Sequence, residues 1–144
     1  MRGMSIPRGI LIVDDDPAIT ETLSVILEQH GYEVRAANSA ETAIEIIAQW
    51  KPELAILDVM LPRMNGIELA LVLKANHAAC HLVLFSGHAE TPALMEEAAR
   101  NGNMFEILAK PVHPLFMLDF VSSLFATAPR RPHGADRRAS QKYL

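Results

Sequence analysis

The run ILIVDDDP, Ile10–Pro17, decides the fold. Its first half, Ile10–Val13, is apolar without alternation, the pattern of a strand buried on both faces. Its second half turns to acid and then to Asp16-Pro17, an N-cap followed by proline at the first helical position. A buried strand that runs straight into a helix is the start of a βα unit. Apolar tetrads recur at Leu54–Leu57 and Leu82–Phe85, and Glu33–Ala37 and Phe105–Ala109 are weaker strands of similar length. Between them Ile19, Leu23, Ile26 and Leu27 form one helical face, which Gly31 ends. Asn38 with Glu41 resembles a capping box, and Ala40, Ala43, Ile44, Ile47 and Ala48 follow at helical spacing. Further helices are predicted over Gly66–Ala75, from Thr91-Pro92 to near Gly102, and from His113-Pro114 to about Ala126. Five βα units predict a doubly wound α/β domain, a parallel sheet covered on both faces.

The 144 residues are half hydrophobic and carry a net charge of −4. That length suits one domain, able to bury roughly 70% of its unfolded surface. Ample apolar content excludes disorder for most of the chain. The N-terminus lacks a secretory signal, and no apolar run is long enough to span a membrane. One cysteine, Cys80, excludes an internal disulfide and a cysteine-rich zinc site; a small buried hydrophobe in a reducing cytoplasm is expected. Charge is uneven: residues 1–126 hold 16 acids against 8 Lys/Arg, and residues 127–144 hold five bases and one acid. Residues 1–8 read as an extension, 9–126 as the domain and 127–144 as a flexible basic tail. An acidic body argues against nucleic acid as partner, and no membrane partner is expected.

Polar residues collect where the strands end. Asp14, Asp15 and Asp16 follow the first strand, Asp58 ends the third, Ser86 the fourth and Lys110 the fifth. In an open parallel sheet these positions share the carboxyl edge, where ligands bind. Clustered carboxylates repel unless a cation sits among them. Hard oxygen ligands favour Mg²⁺, which keeps waters and leaves room for a phosphoryl group. A lysine and a hydroxyl nearby suit phosphoryl oxygens, and one carboxylate could be the nucleophile of an aspartyl phosphate.

With these motifs in view, the chain resembles the response-regulator receiver domains of two-component signalling, the chemotaxis-regulator type among them. The resemblance rests on ILIVDDDP (10–17), LAILDVMLPRMNG (54–66), LVLFSGHA (82–89) and ILAKPV (107–112), with Asp58, Pro62 and Gly66 at the spacing of the family's phosphorylation loop. It implies a flavodoxin-like (βα)5 fold with sheet order 2-1-3-4-5. It implies that Asp58 accepts a phosphoryl group from a phosphohistidine on a sensor histidine kinase or histidine phosphotransfer protein. Asp15 is implied as a direct Mg²⁺ ligand, with Asp14 assisting through water and the Met60 carbonyl completing the shell; Mn²⁺ can substitute. Ser86 and Lys110 are implied to contact the phosphoryl group, and Lys110-Pro111 to be cis.

The pattern departs at Ile107, where relatives often carry an aromatic residue whose rotation couples to the hydroxyl residue. Phe105 is two residues away, on the same side only if the strand is regular, and Gly102–Lys110 reads one residue longer than the family's usual segment. Signalling is therefore expected to use a different packing change. Met60 and His88 flank the path of the hydrolytic water in the family; an apolar Met60 gives that water no hydrogen bond, so slow self-dephosphorylation is expected. The last helix has an apolar arc of about 200°, wider than packing on a sheet requires. The surplus reads as a homodimer face of the fourth helix, fifth strand and fifth helix, or as a surface covered by the tail.

These readings predict a stand-alone receiver: no enzyme with a separate substrate, only self-phosphorylation and self-dephosphorylation, with a downstream protein contact as output. The alternative is a piece of a larger regulator with a DNA-binding or enzymatic half. A phosphatase of the haloacid-dehalogenase type fits less well, because its nucleophile ends the first strand and its second aspartate lies two residues on.

Overall fold

In the computed structural model, residues 7–87, 91–102 and 105–127 are described. The elements alternate: β1 (Gly9–Val13), α1 (Pro17–Gln29), β2 (Glu33–Ala37), α2 (Ala40–Ile47), β3 (Leu54–Asp58), α3 (Gly66–Asn76), β4 (His81–Ser86), α4 (Thr91–Arg100), β5 (Glu106–Ala109) and α5 (Pro114–Thr127). All neighbouring strands are parallel, in the order β2-β1-β3-β4-β5.

The apolar tetrads explain the layering. Successive strand residues point to opposite faces. Leu11, Val13, Ala55, Leu57 and Leu84 therefore pack towards α2, α3 and α4, against Ala43, Ile47, Leu69, Leu73 and Ala98. Ile10, Ile12, Ile56, Val83 and Phe85 pack towards α1 and α5, against Leu23, Leu27, Met117, Val121 and Phe125. Ile10–Val13 and Leu54–Leu57 are wholly buried, as central strands covered on both sides must be. Cys80, the single cysteine, is buried. No helix among the described residues is long and apolar enough to cross a membrane.

Start signals hold at α1, where Asp16 caps the helix by accepting from Ala18 N–H and Pro17 follows. They shift at α2. The N-cap is Ser39, whose Oγ accepts from Thr42 N–H at 3.1 Å, and not Asn38. Two adjacent residues can each supply a capping oxygen, and the extended backbone at Ser39 gives it the place. The expected pairing of Asn38 with Glu41 is thus corrected; Glu41 instead meets Arg63 in a two-pronged ion pair at 3.3 and 3.4 Å. A full capping box does form at α3, between Asn65 and Glu68.

Register sets the functional edge. Val13 lies beside Leu57, Asp58 beside Phe85, and Ser86 beside Ala109. The residues at or just past these positions, Asp14, Asp58, Ser86 and Lys110, therefore arrive at one edge of the sheet. Residues 128–144, most of the expected basic tail, lie outside the described residues.

Candidate functional site

Each functional side chain is delivered by a strand end and held by backbone bonds. Asp14 is buried. Its N–H continues the ladder to Ala37 O at 3.1 Å, and its Oδ1 accepts from Asp16 N–H at 2.9 Å. Asp15 is exposed beside it. Asp58 is 1% exposed, and its Oδ1 accepts from Met60 N–H at 3.3 Å. The loop after it folds back tightly, with Gly66 N–H donating to Val59 O at 2.7 Å. A Cβ at Gly66 would lie 2.0 Å from the Asp58 carbonyl oxygen, so only glycine lets α3 start there. Arg63, in the same loop, has φ of 65°, and its ion pair with Glu41 ties the loop to α2.

Lys110 closes the cluster. Its N–H donates to Ser86 O at 2.9 Å. Its Nζ reaches 2.7 Å from Asp14 Oδ2 and 3.3 Å from Asp58 Oδ2, and sits 4.9 Å from the centre of the Phe85 ring. Lys110-Pro111 is cis. Ser86 is buried at the end of β4. Gly87 leaves room for Lys110, whose Cβ would stand 3.2 Å from an added methyl.

The electrostatics follow from crowding. Burial raises the Asp58 pKa above the ordinary aspartate value, and the charge of Asp14 raises it further; the Lys110 ammonium and the Met60 N–H oppose both. Burial pulls the Lys110 pKa down, but the Asp14 and Asp58 carboxylates together outweigh it, and the net shift is upward. Lys110 is therefore held as an ammonium between two carboxylates.

One ammonium does not balance three acids. Carboxylate oxygens of Asp14, Asp15 and Asp58 all lie within 4.8 Å of one another. Two are buried and one faces solvent, which suits a hard divalent cation that keeps some of its waters. The donor set therefore fits Mg²⁺.

The matches with known proteins agree with this geometry. A family model for the response regulator receiver domain covers residues 10–121. The chain belongs to the response-regulator receiver family. Nitrogen assimilation regulatory protein NtrX of Azorhizobium caulinodans is 36% identical over 106 residues, which are 72% of this chain and 23% of NtrX. The DNA-binding response regulator MtrA of Mycolicibacterium smegmatis is 38% identical over 48% of this chain and 30% of its own length. This receiver thus spans less than a third of these curated relatives. Among solved structures, a CheY-like receiver from Methanospirillum hungatei superimposes with a TM-score of 0.73 at 30% identity, over 83% of this chain and 94% of that one. The NtrX receiver of Brucella abortus gives 0.69 at 29% identity, over 82% and 98%.

The structure of this receiver brings Asp14, Asp58 and Lys110 into contact and Asp15 and Ser86 to the same edge. Met60 is half-buried against the α2–α4 side of the core. Ile107 is 42% exposed. Phe105 precedes β5 and packs into that same side, whereas Leu108 packs towards α1 and α5, so Phe105 and Ile107 do share a face. His88 lies outside the described residues. Three contributors escape the motif reading: Phe85 against the lysine, Asn38 against the acidic loop, and the Glu41–Arg63 pair. Only the last had a signal, two opposite charges beside neighbouring turns.

Proposed function

We propose that this receiver takes a phosphoryl group onto Asp58 from a phosphohistidine of a sensor histidine kinase or histidine phosphotransfer protein. The observation that carries this reading is the Asp14–Lys110–Asp58 contact at the carboxyl edge of the sheet. An Asp58 carboxylate oxygen attacks phosphorus, the P–N bond breaks, and the imidazole leaves with its electron pair. Lys110 Nζ, already beside Asp58 Oδ2, pairs with the phosphoryl oxygens. Ser86 Oγ donates to another of them. The Met60 N–H holds Asp58 Oδ1 and orients the attacking carboxylate.

Asp15, Asp58 and the Met60 carbonyl, with Asp14 assisting, would hold Mg²⁺ or Mn²⁺ at this carboxylate cluster, and the cation would supply charge neutralisation for the transferred group. There is no separate substrate, so the chemistry is limited to self-phosphorylation and self-dephosphorylation. A single, buried cysteine, Cys80, suits the reducing cytoplasm. We assign output to protein contacts, with a second copy docking on the α4–β5–α5 face, where Ile107, Leu115 and Phe116 are exposed. The length of the curated relatives supports a second reading, in which the chain is the receiver part of a longer regulator.

Incubation with Mg²⁺ and acetyl phosphate, read by intact mass, tests the central claim. Wild type gains the mass of one phosphoryl group and Asp58→Asn gains none. A wild type that stays unmodified, or an Asp58→Asn variant labelled equally, overturns it.

A further inference from the structure

Asn38 does not cap α2, yet its amide nitrogen is fully used. Nδ2 donates to the Asp14 carbonyl at 2.8 Å and to Thr20 Oγ1 at 3.2 Å. An amide nitrogen carries two hydrogens, and these acceptors take both. Thr20 is buried and its hydroxyl donates onward to Pro17 O at 3.1 Å. The bracket therefore joins the end of β2, the acidic loop after β1 and the first turn of α1.

What Asn38 grips is the peptide between Asp14 and Asp15. The plane of that peptide is set by ψ of Asp14 and φ of Asp15, and φ of Asp15 fixes how its side chain leaves the backbone. The other two acids have direct holders: Asp16 N–H and Lys110 for Asp14, Met60 N–H and Lys110 for Asp58. Among the described residues no hydrogen bond or ion pair holds the Asp15 carboxylate. Its approach to Asp14 and Asp58 depends on its backbone, and that backbone depends on Asn38.

We propose that Asn38 is a positioning residue for the divalent cation: by holding the Asp14 carbonyl it aims Asp15 into the carboxylate cluster. This rests on the carboxylate cluster being a cation site. Groups that orient metal ligands typically influence affinity by about 10-fold to 100-fold when removed. Asn38 acts through one peptide rather than on a ligand atom, so the lower figure is expected.

The test uses the full chain with Mn²⁺ as probe, titrated by water-proton relaxation, alongside thermal melting. Asn38→Leu keeps the side chain's size and deletes its donors. Thr20→Val deletes the second acceptor and leaves the Asn38–Asp14 bond. The expected result is about tenfold weaker Mn²⁺ binding for Asn38→Leu, with Thr20→Val binding like wild type even if it melts lower. Asn38→Leu should also need more Mn²⁺ to reach half its phosphorylation rate from acetyl phosphate, while its rate at saturating Mn²⁺ matches wild type. Asn38→Ala is measured in parallel, so poor folding of one variant does not decide the outcome. Wild-type affinity in the folded Asn38 variants overturns the proposal, as does a loss in Thr20→Val equal to theirs, which would mean a bracket that only stabilises. A wild type that binds no Mn²⁺ overturns the cation site itself, a separate result.

Discussion

Asp58 is charged in a place that disfavours charge, and this has a consequence for stability. Its folded pKa is raised, so the folded state holds that proton more tightly than the unfolded chain does. The favourable contribution is complete below the ordinary aspartate value of 3.8 and is lost as pH rises through the folded value. Asp58→Asn is then expected to raise the urea midpoint at pH 7 in metal-free buffer, with the gap narrowing as pH falls through the folded value towards 3.8. A variant less stable than wild type at pH 7 would contradict the electrostatic account. On the proposed function, Met60 bears on the lifetime of the aspartyl phosphate: its side chain would offer the attacking water no hydrogen bond, and one such bond is worth about 1 kcal/mol, or a factor of about five in rate. Met60→Asn should shorten the aspartyl-phosphate half-life by about that factor, measured by decay of the phosphorylated mass; an unchanged or longer half-life contradicts it. At this scale Asp14, Asp58, Ser86 and Lys110 were legible in the sequence as edge positions, because a polar residue that ends an apolar run marks where a strand reaches the sheet's edge. Asn38 was not, because its acceptor, the Asp14 carbonyl, lies 24 residues away, where short-range capping patterns carry no information.

Among the elements, α3 depends most on one position. Its first residue is Gly66, and an added methyl would stand 2.0 Å from the Asp58 carbonyl oxygen and 2.7 Å from its carbon. Both are backbone atoms of Asp58 and cannot rotate aside. Gly66→Ala must push α3 away or displace Asp58, and overpacking of this kind costs about 3 kcal/mol. We expect that loss in urea unfolding together with slowed phosphorylation; loss of stability with a normal rate would show that α3 moved and Asp58 did not. The five-unit pattern was legible because central strands buried on both faces read as unbroken apolar runs. The edge strands were fainter, since β2 and β5 expose several of their residues. The α2 boundary differs by one residue because Asn38 and Ser39 both favour caps, and only the tertiary bond from Asn38 to Asp14 settles the choice.

Across the whole molecule, the reacting edge and an exposed apolar patch are joined by a short piece of chain. Lys110 touches Asp58 and Asp14. Three residues before it, Ile107 is 42% exposed on the edge strand; five and six residues after it, Leu115 and Phe116 are 60% and 54% exposed at the start of α5. A change in what Lys110 holds therefore reaches both flanks of the patch without crossing the core. The buried stripe of α5, Met117, Val121 and Phe125, is fixed against the sheet, while Phe125 also lies under Arg8 and beside Tyr32. α5 is thus anchored from Met117 onward, leaving adjustment to the exposed Leu115 and Phe116 ahead of it. If a second copy covers the patch after phosphorylation, the sedimentation coefficient of the phosphorylated chain rises with concentration and that of the unmodified chain does not. Phe116→Asp should keep the wild-type unfolding midpoint, since exposed positions change stability by only about 0.5 kcal/mol. It should also remove the concentration dependence, because a carboxylate buried without a partner opposes association. A phosphorylated wild type that sediments as a monomer at every concentration would assign the patch to a different protein.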